Sequence, residues 1–153
     1  MPVNLAGNVQ RLILPVESLV NRNPLARPRR RLEDVRVLIV DDDEDVLQSF
    51  DAAFQAEGAL TQLCRDGNDA VRICQSDEPD VVILDMMLPK RSGFLVLEKI
   101  KGTEEAPAVI MVTANEGKRH EAYAESLGAD AYLHKPVPLN KLIDTVAELM
   151  DEE

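Results

Sequence analysis

The sequence predicts an α/β fold, a single parallel sheet with helices on both faces. Three observations carry this expectation. From Val35 onward, short apolar runs alternate with amphipathic stretches. The apolar residues, 45% of 153, are almost all aliphatic, with three Phe, two Tyr and no Trp, which suits a sheet covered on both sides. Finally, a strand-helix-strand alternation closes into a parallel sheet through right-handed crossovers.

The elements follow in order. Val35–Val40 is a first strand, and the acidic run Asp41–Asp45 leads from it into a helix over 44–57. Acids suit that place because they cap free N–H groups and complement the helix dipole. Gly58 ends the helix, as glycine commonly does. Ala59–Cys64 is the second strand and 67–77 the second helix, closed by Asp77–Pro79. Val81–Leu84 reads as the third strand, followed by a helix over 92–101. Val109–Val112 precedes a helix over 117–127 that Gly128 terminates. Ala131–Leu133 is the fifth strand, and Leu139–Met150 is the last helix.

Residues 1–34 differ from the rest. Leu5, Val9, Leu12, Val16 and Leu19 recur at helical steps, with Pro15 interrupting. "NRNPLARPRRRLED" then reads as a basic linker. This segment holds six Arg against three acids, a net of +3, whereas residues 35–153 hold 11 basic and 25 acidic residues, a net of −14. So acidic a body disfavours direct nucleic-acid binding, which draws on phosphate neutralisation. No run reaches the roughly 20 apolar residues of a membrane span, and nothing resembles a signal peptide, so a cytoplasmic location is expected. Cys64 and Cys74 lack metal-type spacing and read as reduced thiols, and His120 and His134 as isolated surface histidines. The domain division is a 1–34 extension, a 35–150 body and a 151–153 acidic tail.

In a parallel sheet the C-terminal strand ends share one edge, where ligands bind. Asp41, Asp42 and Asp43 end the first strand here, Asp85 the third, Thr113 the fourth and Lys135 the fifth. Two carboxylates about 5 Å apart repel by roughly 3 kcal/mol at an effective dielectric near 20. Lys135 offers one compensating charge. A hard divalent cation offers two, and oxygen-only ligands point to Mg2+. Carboxylates, a lysine and a hydroxyl together suit a phosphoryl group, and a carboxylate can itself be the nucleophile.

"VLIVDDDEDVL", "DVVILDMMLPKRSG", "VIMVTA" and "AYLHKP" resemble, in order and spacing, the motifs of the response-regulator receiver domain (CheY-like) of two-component signalling. The resemblance covers residues 35 to about 150. It implies a flavodoxin-like sheet of order 2-1-3-4-5 with five helices; receiver domains are themselves a standard illustration of that order. It further implies that Asp85 is the phosphoacceptor. Asp42, Asp85 and the backbone carbonyl of Met87 become direct Mg2+ ligands, with Asp41 acting through water. Thr113 becomes the switch hydroxyl, Tyr132 the aromatic switch, and Lys135 the conserved ammonium, followed by a cis bond to Pro136. Pro89 and Gly93 form the turn after the acceptor strand. Met87 and Asn115 match positions that tune dephosphorylation and imply a phosphoryl lifetime of minutes or longer.

The expected function is therefore a single-domain response regulator, a signalling switch rather than a turnover enzyme. A histidine kinase or phosphotransfer protein would supply the phosphoryl group, and output would run through an unidentified protein partner. The chain would be a monomer or a phosphorylation-dependent dimer, without membrane contact. Two other readings stay open at this point. One is a receiver-like binding module independent of phosphorylation. The other is a phosphatase of the haloacid dehalogenase type, using Asp41 and Asp43.

Overall fold

The computed structural model describes residues 30–114 and 117–151. The amphipathic pattern of residues 5–19, most of the basic linker, and Asn115 lie outside the described residues.

Five strands form one sheet: β1 (Arg36–Val40), β2 (Leu60–Cys64), β3 (Val81–Asp85), β4 (Ala108–Thr113) and β5 (Ala131–His134). All pair in parallel, in the order β2-β1-β3-β4-β5. Five helices connect or follow them: α1 (Glu44–Ala56), α2 (Gly67–Asp77), α3 (Gly93–Lys101), α4 (Lys118–Ser126) and α5 (Leu139–Asp151). The predicted elements are therefore present, with ends displaced by a residue or so. One such difference touches the site: β5 ends at His134, and Lys135 is the next residue.

Alternation along the strands divides the core. Val37, Ile39, Ile83, Ile110 and Val112 face α1 and α5, where Phe54, Leu142 and Val146 meet them. Leu38, Val40, Val82, Leu84 and Met111 face α2, α3 and α4, against Val71, Leu97 and Ala124. A strand apolar on both faces is what a doubly covered sheet requires. Gly58 and Gly128 stand just past α1 and α4 with φ of +92° and +103°, as the expected terminators.

The last residues of the predicted linker behave otherwise. Leu32 is 1% exposed and packs in the α1/α5 core. Its N–H donates to Glu57 O at 2.9 Å, and the Asp34 N–H to Gly58 O at 3.1 Å. Arg31 pairs with Asp144 of α5 at 2.7 Å. A short arginine-rich tract reads as solvated because charge dominates its composition, yet Leu32 at its end packs into the core beneath α1.

Candidate functional site

Strand order reverses beside β1, since β2 and β3 lie on its two sides. This opens a crevice at the C-terminal edge. The residues predicted from the strand ends meet there. Asp41 follows β1, Asp85 ends β3 and Thr113 ends β4. All three are buried, at 2%, 7% and 0% exposure. Lys135 reaches them from beyond β5, its backbone N–H donating to Thr113 O at 2.8 Å. The Lys135–Pro136 bond is cis, as the resemblance implies.

The Lys135 ammonium donates to Asp41 Oδ2 at 2.7 Å and lies 3.5 Å from Asp85 Oδ2. The other Asp41 oxygen, Oδ1, accepts from the Asp43 N–H at 2.9 Å. Asp85 Oδ1 accepts from the Met87 N–H at 3.3 Å. Burial, reinforced by the negative charge of Asp41, pushes the Asp85 carboxyl above its ordinary value, and Lys135 only partly counters this. Burial works against the charge of Lys135 too, but its bond to Asp41 and the charges of Asp85 and Asp41 outweigh it and hold the ammonium above its ordinary value. Two buried carboxylates sharing one ammonium leave the pocket short of positive charge.

Asp42 is exposed and joins the group from the rim. One carboxylate oxygen each of Asp41, Asp42 and Asp85 lie within 4.8 Å of one another. The set is all oxygen, carries net negative charge and has one open side, which fits a hard divalent cation such as Mg2+. Both oxygens of Asp41 are already engaged, by Lys135 and by the Asp43 N–H. Those of Asp85 are held more loosely, by the Met87 N–H at 3.3 Å and by Lys135 at 3.5 Å.

The acidic run separates by role. Asp43 is the N-cap of α1, accepting from the N–H groups of Asp45 and Val46 at 2.9 and 3.4 Å. Glu44 and Asp45 lie in the first turn of the helix. Only the first two acids face the crevice.

Gly93, at the start of α3, shows why the turn after β3 ends in glycine. A β-carbon there would come within 2.5 Å of Asp85 O and 2.6 Å of the Met86 Cα. Its N–H donates to Met86 O at 2.8 Å. Tyr132 packs edge-on to His134, with ring centroids 5.4 Å apart. Its phenol is raised by burial and by Glu121, and the buried hydroxyl has no hydrogen-bond partner among the described residues. His120 departs from the surface reading: it is half-buried and stacks on Phe94 at 5.8 Å.

Sequence reasoning did not single out the first turn of α2, which packs on the loop carrying Met87. Gly67 was the available signal, because glycine is the residue that admits a close approach of another backbone.

The comparisons with known proteins agree with this geometry. Residues 37–147 match the family model of the response regulator receiver domain. Response regulator MprA of Mycolicibacterium vanbaalenii is 33% identical over 116 residues, 76% of this chain and 50% of that protein. The protein of the same name from Mycobacterium tuberculosis is similar to the same extent. The chain thus spans about half the length of the curated relatives it matches. Among solved structures, a CheY-like receiver domain protein from Methanospirillum hungatei superposes with a TM-score of 0.75 at 28% identity, covering 78% of this chain and 96% of that one. The receiver domain of the Francisella response regulator 1452 gives 0.74 at 27% identity, covering 78% and 98%. The sequence motifs, the strand order and the acidic crevice converge with these matches, and the chain belongs to the response regulator receiver family.

Proposed function

We propose that this chain is a phosphorylation switch in which Asp85 accepts a phosphoryl group from a partner histidine kinase or phosphotransfer protein. The observation that carries the reading is the buried crevice where Asp85, Asp41 and Lys135 share one ion-paired cluster. An oxygen of the Asp85 carboxylate attacks phosphorus, the bond from phosphorus to the donor nitrogen breaks, and its electron pair leaves with the imidazole. Burial makes that carboxylate more basic than usual. The Met87 N–H on Asp85 Oδ1 fixes its orientation. Lys135 balances charge on the phosphoryl oxygens. Asp42 and Asp85, with the Met87 carbonyl and with Asp41 through water, would hold Mg2+. The ion supplies further neutralisation of the phosphoryl oxygens.

Thr113 and Tyr132 are the proposed switch residues. Thr113 stands at the end of β4, and Tyr132 lies on the neighbouring strand. The Tyr132 hydroxyl forms no bond to a described residue, so turning the ring breaks none of these. Phosphorylation then shifts a population between two arrangements, which a downstream protein partner reads. For the donor, a groove lined by Val46, Phe50, Val137 and Leu139 runs beside Lys135 and offers apolar surface next to the acceptor.

Asp43 is occupied in capping α1, which weighs against the phosphatase reading that needs it as a partner of Asp41. The test is labelling by acetyl phosphate in Mg2+. Wild type should gain one phosphoryl group per chain, and Asp85→Asn none. Wild type that fails to label would favour a phosphorylation-independent binding module.

A further inference from the structure

One cluster of contacts beside the crevice has no part in the mechanism above. It joins the first turn of α2 to the loop after β3. The Gly67 N–H donates to Pro89 O at 3.4 Å. Lys90 Nζ lies 3.8 Å from Asp66 Oδ2. Arg91 Nε donates to Asn68 Oδ1 at 3.1 Å. Three consecutive residues of one element thus hold three consecutive residues of the other.

The approach is close enough to dictate residue type. A β-carbon at Gly67 would come within 2.4 Å of Arg91 O and 2.6 Å of the Arg91 Cβ. Lys90, on the opposite side, sits at φ +69°, a region that side chains other than Asn and Asp seldom adopt. Lysine in the left-handed region is locally unfavourable, and at position 67 only a residue without a β-carbon fits. Both constraints fall on the same contact.

That contact leads to the acceptor. Pro89 is two residues beyond Met87, whose N–H holds Asp85 Oδ1. The far end of the loop is fixed by the Gly93 N–H on Met86 O. Between these points the loop is held from outside by α2.

We propose that Gly67 and Asn68 are positioning residues for the phosphoacceptor: the first turn of α2 braces the 86–92 loop and so sets the orientation of the Asp85 carboxylate. The proposal rests on the reading of Asp85 as phosphoacceptor. Orientation matters at this scale because misplacing a reacting group by about 1 Å can cost on the order of a hundredfold in rate.

The test uses the full chain and three variants, Asn68→Ala, Arg91→Ala and Asn68→Asp. The last keeps an oxygen that can accept from Arg91. Three quantities are measured: the rate of labelling by acetyl phosphate at saturating MgCl2, the melting temperature, and the Met87 amide resonance in Mg2+-free protein. Asn68→Ala and Arg91→Ala should slow labelling by about tenfold and shift the Met87 amide, with little change in melting temperature. Asn68→Asp should return rate and resonance toward wild type. An unmoved Met87 amide in both alanine variants, or labelling at the wild-type rate, would overturn the brace. If wild type itself does not label, the phosphoacceptor reading fails, and the Met87 amide alone decides: a shift supports the brace and an unmoved resonance refutes it.

Discussion

Two buried carboxylates facing one ammonium make the site sensitive to which charge is removed. Asp85 has a carboxyl raised by burial and by Asp41. A raised acid binds its proton more readily folded than unfolded, so the charged form lowers stability. This penalty is absent below the unfolded value, grows as pH rises through the folded value, and is constant above it. Asp85→Asn should therefore raise the melting temperature of Mg2+-free protein at neutral pH, with the gain vanishing in acid. Lys135→Ala should do the reverse. It leaves Asp41 and Asp85 unbalanced and should cost about 1–3 kcal/mol at neutral pH, discounted for the partial exposure of the lysine. Thermal melts of both variants against pH check the pair, and equal responses would contradict the charge account. Asp85, Thr113 and Lys135 were legible in the sequence because each closes or follows an apolar run. The assignment of Asp43 was not, since cap and ligand use the same carboxylate and only the direction of its hydrogen bonds separates them. Cys74 makes a simpler case: burial, then the neighbouring Cys64, pushes its thiol up to about 12. It should resist iodoacetamide in native protein near pH 8, because the thiolate is the reactive form. Rapid native alkylation at Cys74, read by mass spectrometry, would argue otherwise.

Among the elements, helices and strands were legible because apolar period changes where the chain passes from one to the other. Glycines and capping acids then marked the ends. The segment before β1 was not, since its arginines hide Leu32. That side chain is buried against the α1/α5 core, so Leu32→Ala should cost about 2–4 kcal/mol. Arg31→Ala should leave the melting temperature near wild type, because its pair with Asp144 is exposed. Denaturant unfolding of the two variants decides whether the leucine or the salt bridge fastens this segment. A near-neutral Leu32→Ala would refute the packing argument. The contact between α2 and the loop after β3 was marked in the sequence only by Gly67. The residues beside it are polar, and only their distance to that loop reveals the contact.

Across the whole molecule, the parallel sheet and its two covered faces follow from alternation and the handedness of crossovers. Strand order does not, because alternation does not encode which strand lies beside which; it came with the family resemblance. That order places the reversal, and hence the crevice, beside β1 and β3. Binding of Mg2+ to the folded chain alone should stabilise it by mass action. Adding MgCl2 should raise the melting temperature of wild type and raise that of Asp85→Asn less, since the proposed site then lacks one of its three carboxylates. Equal rises in both would place the ion elsewhere. The central claim is that Asp85 carries the phosphoryl group. Treating labelled protein with borohydride reduces an aspartyl phosphate to homoserine, and peptide mass spectrometry then locates the altered residue. The account predicts homoserine at position 85 alone, dependent on both Mg2+ and the phosphodonor. Homoserine at Asp41 or Asp42, with residue 85 still aspartate, would contradict it.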